Sequence, residues 1–112
     1  MARIVMLLAQ GPGQPEGDLG YRLELTAALT PQAALDEAAP AGWPARRVLP
    51  DGTERAGELV RAGAGWALRG AAGEDSPLWD FEGRVFRPGE YVTLRRPDGD
   101  ELVFRIVDVR PD

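Results

Sequence analysis

One stretch restricts the fold more than any other: Tyr91 to Val107, where two alternating runs flank Pro97-Asp98-Gly99. Proline followed by aspartate and glycine favours a type I turn whose last residue enters the left-handed region and forms a G1 bulge. With Gly99 in that conformation, Arg96 faces Asp100, Arg95 faces Glu101, Leu94 faces Leu102 and Val92 faces Phe104, and Ile106 extends the row. Val92, Leu94, Leu102, Phe104 and Ile106 then share one face, and the tip carries two opposite-charge cross-strand pairs worth roughly 0.2–1 kcal/mol each. A slip of one residue would turn the apolar row outward, so the pattern specifies an antiparallel hairpin with one buried face.

The rest of the chain reads in the same language. Ile4 to Ala9 is a continuous apolar run and predicts a strand buried on both faces. Gly11 to Asp18, rich in glycine and proline, is a loop. Tyr21, Leu23, Leu25, Ala27 and Leu29 alternate with Arg22, Glu24 and Thr26, the pattern of a strand with one core face. Thr30-Pro31 then supplies an N-cap and a first-turn proline, and Pro40 bars continuation, so the spacing predicts one short helix over residues 31–39. Beyond Trp43, short strand signals at 47–49, 53–55, 58–61 and 66–69 are separated by Pro50-Asp51-Gly52 and by Gly63, Gly65, Gly70 and Gly73. Pro50-Asp51-Gly52 repeats the turn at Pro97-Asp98-Gly99, each with an arginine pair before it and a glutamate two residues after. At 112 residues, a division into two domains would leave halves too short for separate cores. The expectation is one domain, 1–112, mainly β with α+β as the alternative: a small antiparallel, partly closed barrel or bent sheet of six or seven strands, with the helix over one end.

Composition removes much chemistry. Cysteine and histidine are both absent, which excludes disulfides, Cys–His and Ser–His–Asp catalysis, zinc ribbons and haem or iron–sulfur ligation through those residues. All 13 basic residues are arginine, a bias that GC-rich coding explains, and the net charge is −5. An acidic domain is a poor candidate for nucleic acid. The apolar run at the amino end is too short for a signal-peptide core or a membrane span, so the expectation is a cytoplasmic protein without membrane attachment.

Three constellations resemble sites. The carboxylates of Asp98, Asp100 and Glu101 could suggest a cation loop, but the turn and the opposing arginines account for them, so no metal is expected. Gly63-Ala64-Gly65 opens like a dinucleotide fingerprint, but Leu68 stands where the third glycine belongs, and a hairpin loop is the simpler reading. Glu74, Asp75, Asp80 and Glu82 read as a solvated loop. No cofactor follows from any of them.

The aromatic residues carry more information. Trp43, Trp66, Trp79, Phe81, Phe86 and Tyr91 are needed mostly as core or as covers over barrel ends, but Ser76-Pro77 and Asp80 place Trp79 and Phe81 in a loop. The order of features from Ser76-Pro77 through Gly83, Gly89-Glu90-Tyr91-Val92, Pro97-Asp98-Gly99 and Phe104-Arg105-Ile106-Val107 resembles the end of the C-terminal domain of bacterial Gre-type transcript-cleavage factors. The resemblance covers residues 76–109 and implies an FKBP-like α+β module that docks on another protein. Residues 1–75 carry no heptads and no long helix, so the coiled-coil hairpin and acidic tip of that family have no counterpart. The functional expectation is a small noncatalytic interaction module, with a protein partner or a second copy of itself meeting a surface of Trp66, Trp79, Phe81, Tyr91 and Arg105. The alternative is a ligand-binding or enzymatic barrel in which Trp66, Trp79, Tyr91 and Arg105 line a cavity and Arg105 clamps an anion.

Overall fold

A computed structural model describes residues 1–40, 42–70, 78–97 and 99–111. Its strands are β1 (Ala2–Gln10), β2 (Asp18–Ala27), β3 (Trp43–Val48), β4 (Glu54–Ala62), β5 (Gly65–Gly70), β6 (Trp79–Glu82), β7 (Tyr91–Arg95) and β8 (Glu101–Pro111). Each pairs antiparallel with its neighbour in sequence, and β8 returns to pair with β1, closing the barrel. The hairpin of β7 and β8 has the register its turn dictates: Tyr91 faces Arg105, Val92 Phe104, Leu94 Leu102 and Arg95 Glu101. Gly99 has φ +97°, and Arg95 Nε donates to Glu101 at 3.2 Å.

Eight strands enclose a space that side chains just fill. Ile4, Met6, Leu59, Val92, Leu94, Phe104 and Ile106 are fully buried there, and Tyr21 meets the Phe104 ring edge-on at 5.5 Å. Inward rows alternate with outward rows rich in charge, and β1 obeys the same rule: Ile4, Met6 and Leu8 point in, whereas Val5, Leu7 and Ala9 are only half-buried. It is therefore not buried on both faces, because a closed single-layer barrel has no second layer to cover its outside.

The sheet is fully closed with eight strands rather than partly closed with six or seven. The signals at 53–55 and 58–61 belong to one strand, β4, which Gly57 carries past Arg69, since a Cβ at 57 would collide with the Arg69 carbonyl oxygen. Trp79 and Phe81 lie in β6 rather than in a loop, paired with β5 and β7. The expectations that rest on Gly73, Glu74, Asp75, Ser76-Pro77 and Asp98 lie outside the described residues.

Residues 31–39 form no helix. Ala33 N donates to Thr30 O at 2.9 Å, Thr30 N to Ala34 O at 2.8 Å, and Ala33 has φ +64°. The same two bonds and the same left-handed residue recur at Leu49–Thr53 around Gly52, and at Arg96–Asp100 around Gly99. Thr30-Pro31 thus opens a third proline turn, with alanine in the glycine position. Proline at the second turn position and proline at the first helical position are locally equivalent, because both need φ near −65°. Tertiary packing decides: Leu35 bridges Leu29 and is buried, and the Ala33 carbonyl accepts from Phe86 N at 2.8 Å. The α+β arrangement that the family resemblance implied is absent among the described residues, which are all β.

The two ends of the barrel differ. At the lower end the segments 28–40 and 83–90 fold across the opening. Phe86, 1% exposed, stacks on Phe81 at 6.1 Å, and Trp43 stacks on Trp66 at 5.1 Å. Arg61 lies over the Trp66 ring and pairs with Glu37 at 3.2 Å. At the upper end lie the 11–17 loop, the two Pro-Asp-Gly turns and the ends of β5 and β6.

Among the described residues, the outer wall carries one buried charge. Glu24, 8% exposed, accepts from Arg3 at 2.7 Å and from Arg46 at 3.0 Å, and lies 2.7 Å from Arg22 Nε. Burial pushes its carboxyl up, but hydrogen bonds from Arg3 and Arg46 and the charges of Arg46 and Arg22 outweigh this and hold it below its ordinary value.

Candidate functional site

Period-two alternation decides which side chains reach the inside of the upper end. The row Trp43, Ala45 on β3 continues to Arg47; the row Val92, Leu94 on β7 continues to Arg96; and Leu59, Gly57 on β4 continues to Arg55. Arg47 and Arg96, both half-buried, therefore extend apolar inward rows at the same end, while Arg55, of the same parity, is exposed. Trp79, at the start of β6, stands among them. The Arg47 guanidinium carbon is 4.5 Å and that of Arg96 4.9 Å from its ring centroid. Two cations over one indole each gain from the ring but repel each other. Arg47 and Arg55 add a second unfavourable juxtaposition, being direct cross-strand partners.

Several other arginines of the barrel are balanced by carboxylates, while Arg84, Arg87 and Arg105, which show no ion pair among the described residues, are exposed to water. Arg3, Arg22 and Arg46 share Glu24; Arg61 pairs with Glu37; Arg69 with Glu58; and Arg95 with Glu82 and Glu101. Among the described residues no such ion pair reaches Arg47 or Arg55. Arg47 instead donates through Nη1 to the Tyr21 hydroxyl at 3.4 Å. The acid nearest in kind is Asp51, held below the ordinary carboxyl range by side-chain and backbone hydrogen bonds from Thr53, with Arg55 contributing less. Arg96 Nε is buried without a hydrogen-bond partner, and so is Gln14 Oε1 in the loop beside it. What the end offers is N–H and O–H donors around concentrated positive charge. Among the described residues no three acidic side chains gather in a way that could hold a metal ion.

The sequence-derived candidates do not assemble into one site. Trp79 belongs to the cationic end. Trp66 is at the opposite end, stacked on Trp43. Phe81 is 4% exposed and part of the core, so it offers no surface. Tyr91 and Arg105 are cross-strand partners but face outward, with Tyr91 57% exposed at the rim of a shallow recess shared with Arg84 and Glu90. The cavity expected from Trp66, Trp79, Tyr91 and Arg105 is not formed, because Tyr91 and Arg105 have the opposite parity to Val92 and Phe104. Arg47, Arg55, Arg96, Tyr21 and Gln14 escaped the sequence reading. The signal for the arginines was present: each lies two residues beyond an inward-facing position.

Comparison with known proteins finds no matching protein family, no matching curated protein and no matching solved structure.

Proposed function

We propose that this chain is a noncatalytic binding module that takes a small oxyanion at the upper end of its barrel. The observation that carries the reading is the pair Arg47 and Arg96, two half-buried cations gathered on the one indole of Trp79. A bound carboxylate or phosphate compensates them through charge-assisted hydrogen bonds. Proteins tolerate a local violation of charge pairing mainly where function requires it; Arg84, Arg87 and Arg105 also show no ion pair among the described residues, but they are exposed to water, whereas Arg47 and Arg96 are half-buried. A net charge of −5 disfavours a long polyanion, whose many charges feel the whole molecule, more than a small anion held by the local cations.

Isothermal titration with citrate and with inorganic phosphate tests this. Saturable binding is expected in the wild type, unchanged in Arg61→Ala at the lower end, and lost in the Arg47→Ala/Arg96→Ala double variant. Absence of heat up to ~10 mM ligand, or affinity untouched in the double variant, would refute it.

A second reading, docking of a protein partner or a second copy, rests on the outer wall. There Tyr91, Arg105 and Leu7 form one cross-strand row, with Val107, 41% exposed, further along β8. Sedimentation equilibrium of the wild type and of Tyr91→Ser tests self-association: a dimer lost in the variant supports it, and a monomer in both removes the homodimer.

A further inference from the structure

At β1 the outer wall breaks its own pattern. Val5, Leu7 and Ala9 are three successive outward side chains without a polar group, and among the described residues no other strand carries such a run. β8 adds Val107, 41% exposed, at the bulge between the pairs Val5–Asp108 and Met6–Ile106. A continuous apolar run is the signature of a strand covered on both faces, and the barrel interior covers only one. The other face is left to be covered from outside.

Charge beside this strip changes sign within one repeat of the pleat. Val5 is flanked on β8 by Asp108, and Leu7, ~7 Å further along β1, is flanked by Arg105. Arg105 is exposed and has no ion pair among the described residues. Asp108 pairs with Arg110 at 2.6 Å, but with the Arg110 side chain 76% exposed that pair contributes little, and Asp108 can accept from a second arginine.

Resting on the self-association reading of the outer wall, we infer that a second copy of this chain covers the strip, across a two-fold axis that crosses β1 and β8 between Val5 and Leu7. Half a turn about this axis lays Val5 on the partner's Leu7 and Asp108 on the partner's Arg105, each contact occurring twice. It also brings Val107 close to the partner's Val107. The patch is its own complement in charge, the condition for an isologous interface. An axis running along the strands would instead set Leu7 against the partner's Arg105 and strip water from a charge without pairing it. Curvature of the barrel carries β2, with the arginines around Glu24, away from the contact. The interface is therefore narrow, and the dimer belongs with the weak, transient ones.

The test is sedimentation equilibrium from ~10 to ~500 μM, the range that suits a weak dimer. The wild type should dimerise. Arg105→Asp and Asp108→Arg should each weaken the dimer at least ~10-fold, because each sets like charges together twice. An equimolar mixture of the two variants should associate as tightly as the wild type, since one contact is native and the other has its signs exchanged; an unfolded variant could not do this. Isotope-filtered NOEs in a mixture of labelled and unlabelled wild type, which needs no variant, should connect Val5 methyls with the partner's Leu7 methyls. A dimer that persists in both variants, or one without those NOEs, would overturn the inference while leaving self-association intact. A wild type that stays monomeric throughout the range would overturn both, and neither result touches anion binding at the upper end.

Discussion

Replacing Ala33 with glycine should stabilise this protein, and the sign of the effect distinguishes two folds of one segment. Ala33 has φ +64°, where an L-residue's Cβ crowds the following carbonyl oxygen at a cost of roughly 1–2 kcal/mol. The strain persists because the Thr30–Ala34 bonds, the bond from Phe86 N and the burial of Leu35 together over-determine the loop. Glycine removes the strain, while its greater freedom in the unfolded chain takes back about 0.4–1 kcal/mol. The net expectation is a gain of roughly 0.5–1 kcal/mol. For 112 residues the unfolding entropy makes 1 kcal/mol worth about 4 °C, so Tm should rise by roughly 2–4 °C. Differential scanning calorimetry measures this, with urea unfolding monitored by tryptophan emission as a second determination. Were residues 31–39 helical, the same substitution would cost about 1 kcal/mol and lower Tm by a similar amount. Ala34→Gly is the control: Ala34 has no left-handed φ, so it should destabilise. A fall in Tm for Ala33→Gly equal to that of the control would refute the turn.

The other glycines and the buried carboxylate give further tests. Gly99→Ala and Gly52→Ala should each lose roughly 1 kcal/mol, since both sites have positive φ and open space around the missing Cβ; Gly17→Ala should lose clearly more, because it adds a collision with backbone to the same strain, and equal Tm losses at all three would contradict this ordering. Glu24→Gln should destabilise by roughly 1–3 kcal/mol at neutral pH, as three arginines lose their shared anion. The folded-state pKa of Glu24 is depressed, so its contribution is present above the unfolded value of about 4.5 and is lost as pH falls through the lower folded one; unfolding curves below pH ~4.5 should therefore bring wild type and variant together, and a gap that stays constant there would count against the network. Phe104→Ala, at a fully buried position, should cost about 3–5 kcal/mol by urea unfolding, and a loss under 1 kcal/mol would mean that the barrel interior is not packed as described.

What could be read from the sequence was what is local. The β7–β8 register followed from Pro97-Asp98-Gly99 and the parity of the flanking residues, because a tight turn transmits its geometry directly to its arms. The second turn, at Pro50, was equally legible. The third was hidden: Thr30-Pro31 suits a helix start as well as a turn, and alanine at position 33 lacks the glycine that marks the left-handed residue in the other two. Closure of β8 onto β1 joins residues about a hundred positions apart, for instance Arg3 with Arg110, and no local propensity encodes it. β6 is four residues long, and its pairing partners, not its own composition, make it a strand. The site was illegible for a related reason. The apolar row expected on β7 stopped at Leu94, the strand signal at 47–49 carried no assignment of an inward face to Arg47, and the candidates Tyr91 and Arg105 have the parity that places them outside.

The most direct measurement of anion binding at the upper end is a two-dimensional ¹⁵N spectrum of the tryptophan indole and arginine Nε–Hε groups during a citrate titration. Binding as proposed moves the Trp79 indole and the Arg47 and Arg96 cross-peaks together along one saturable curve, and leaves the indoles of Trp43 and Trp66 in place. Unmoved Arg47 and Arg96 resonances, or shifts centred on Trp66 and Arg61, would contradict it.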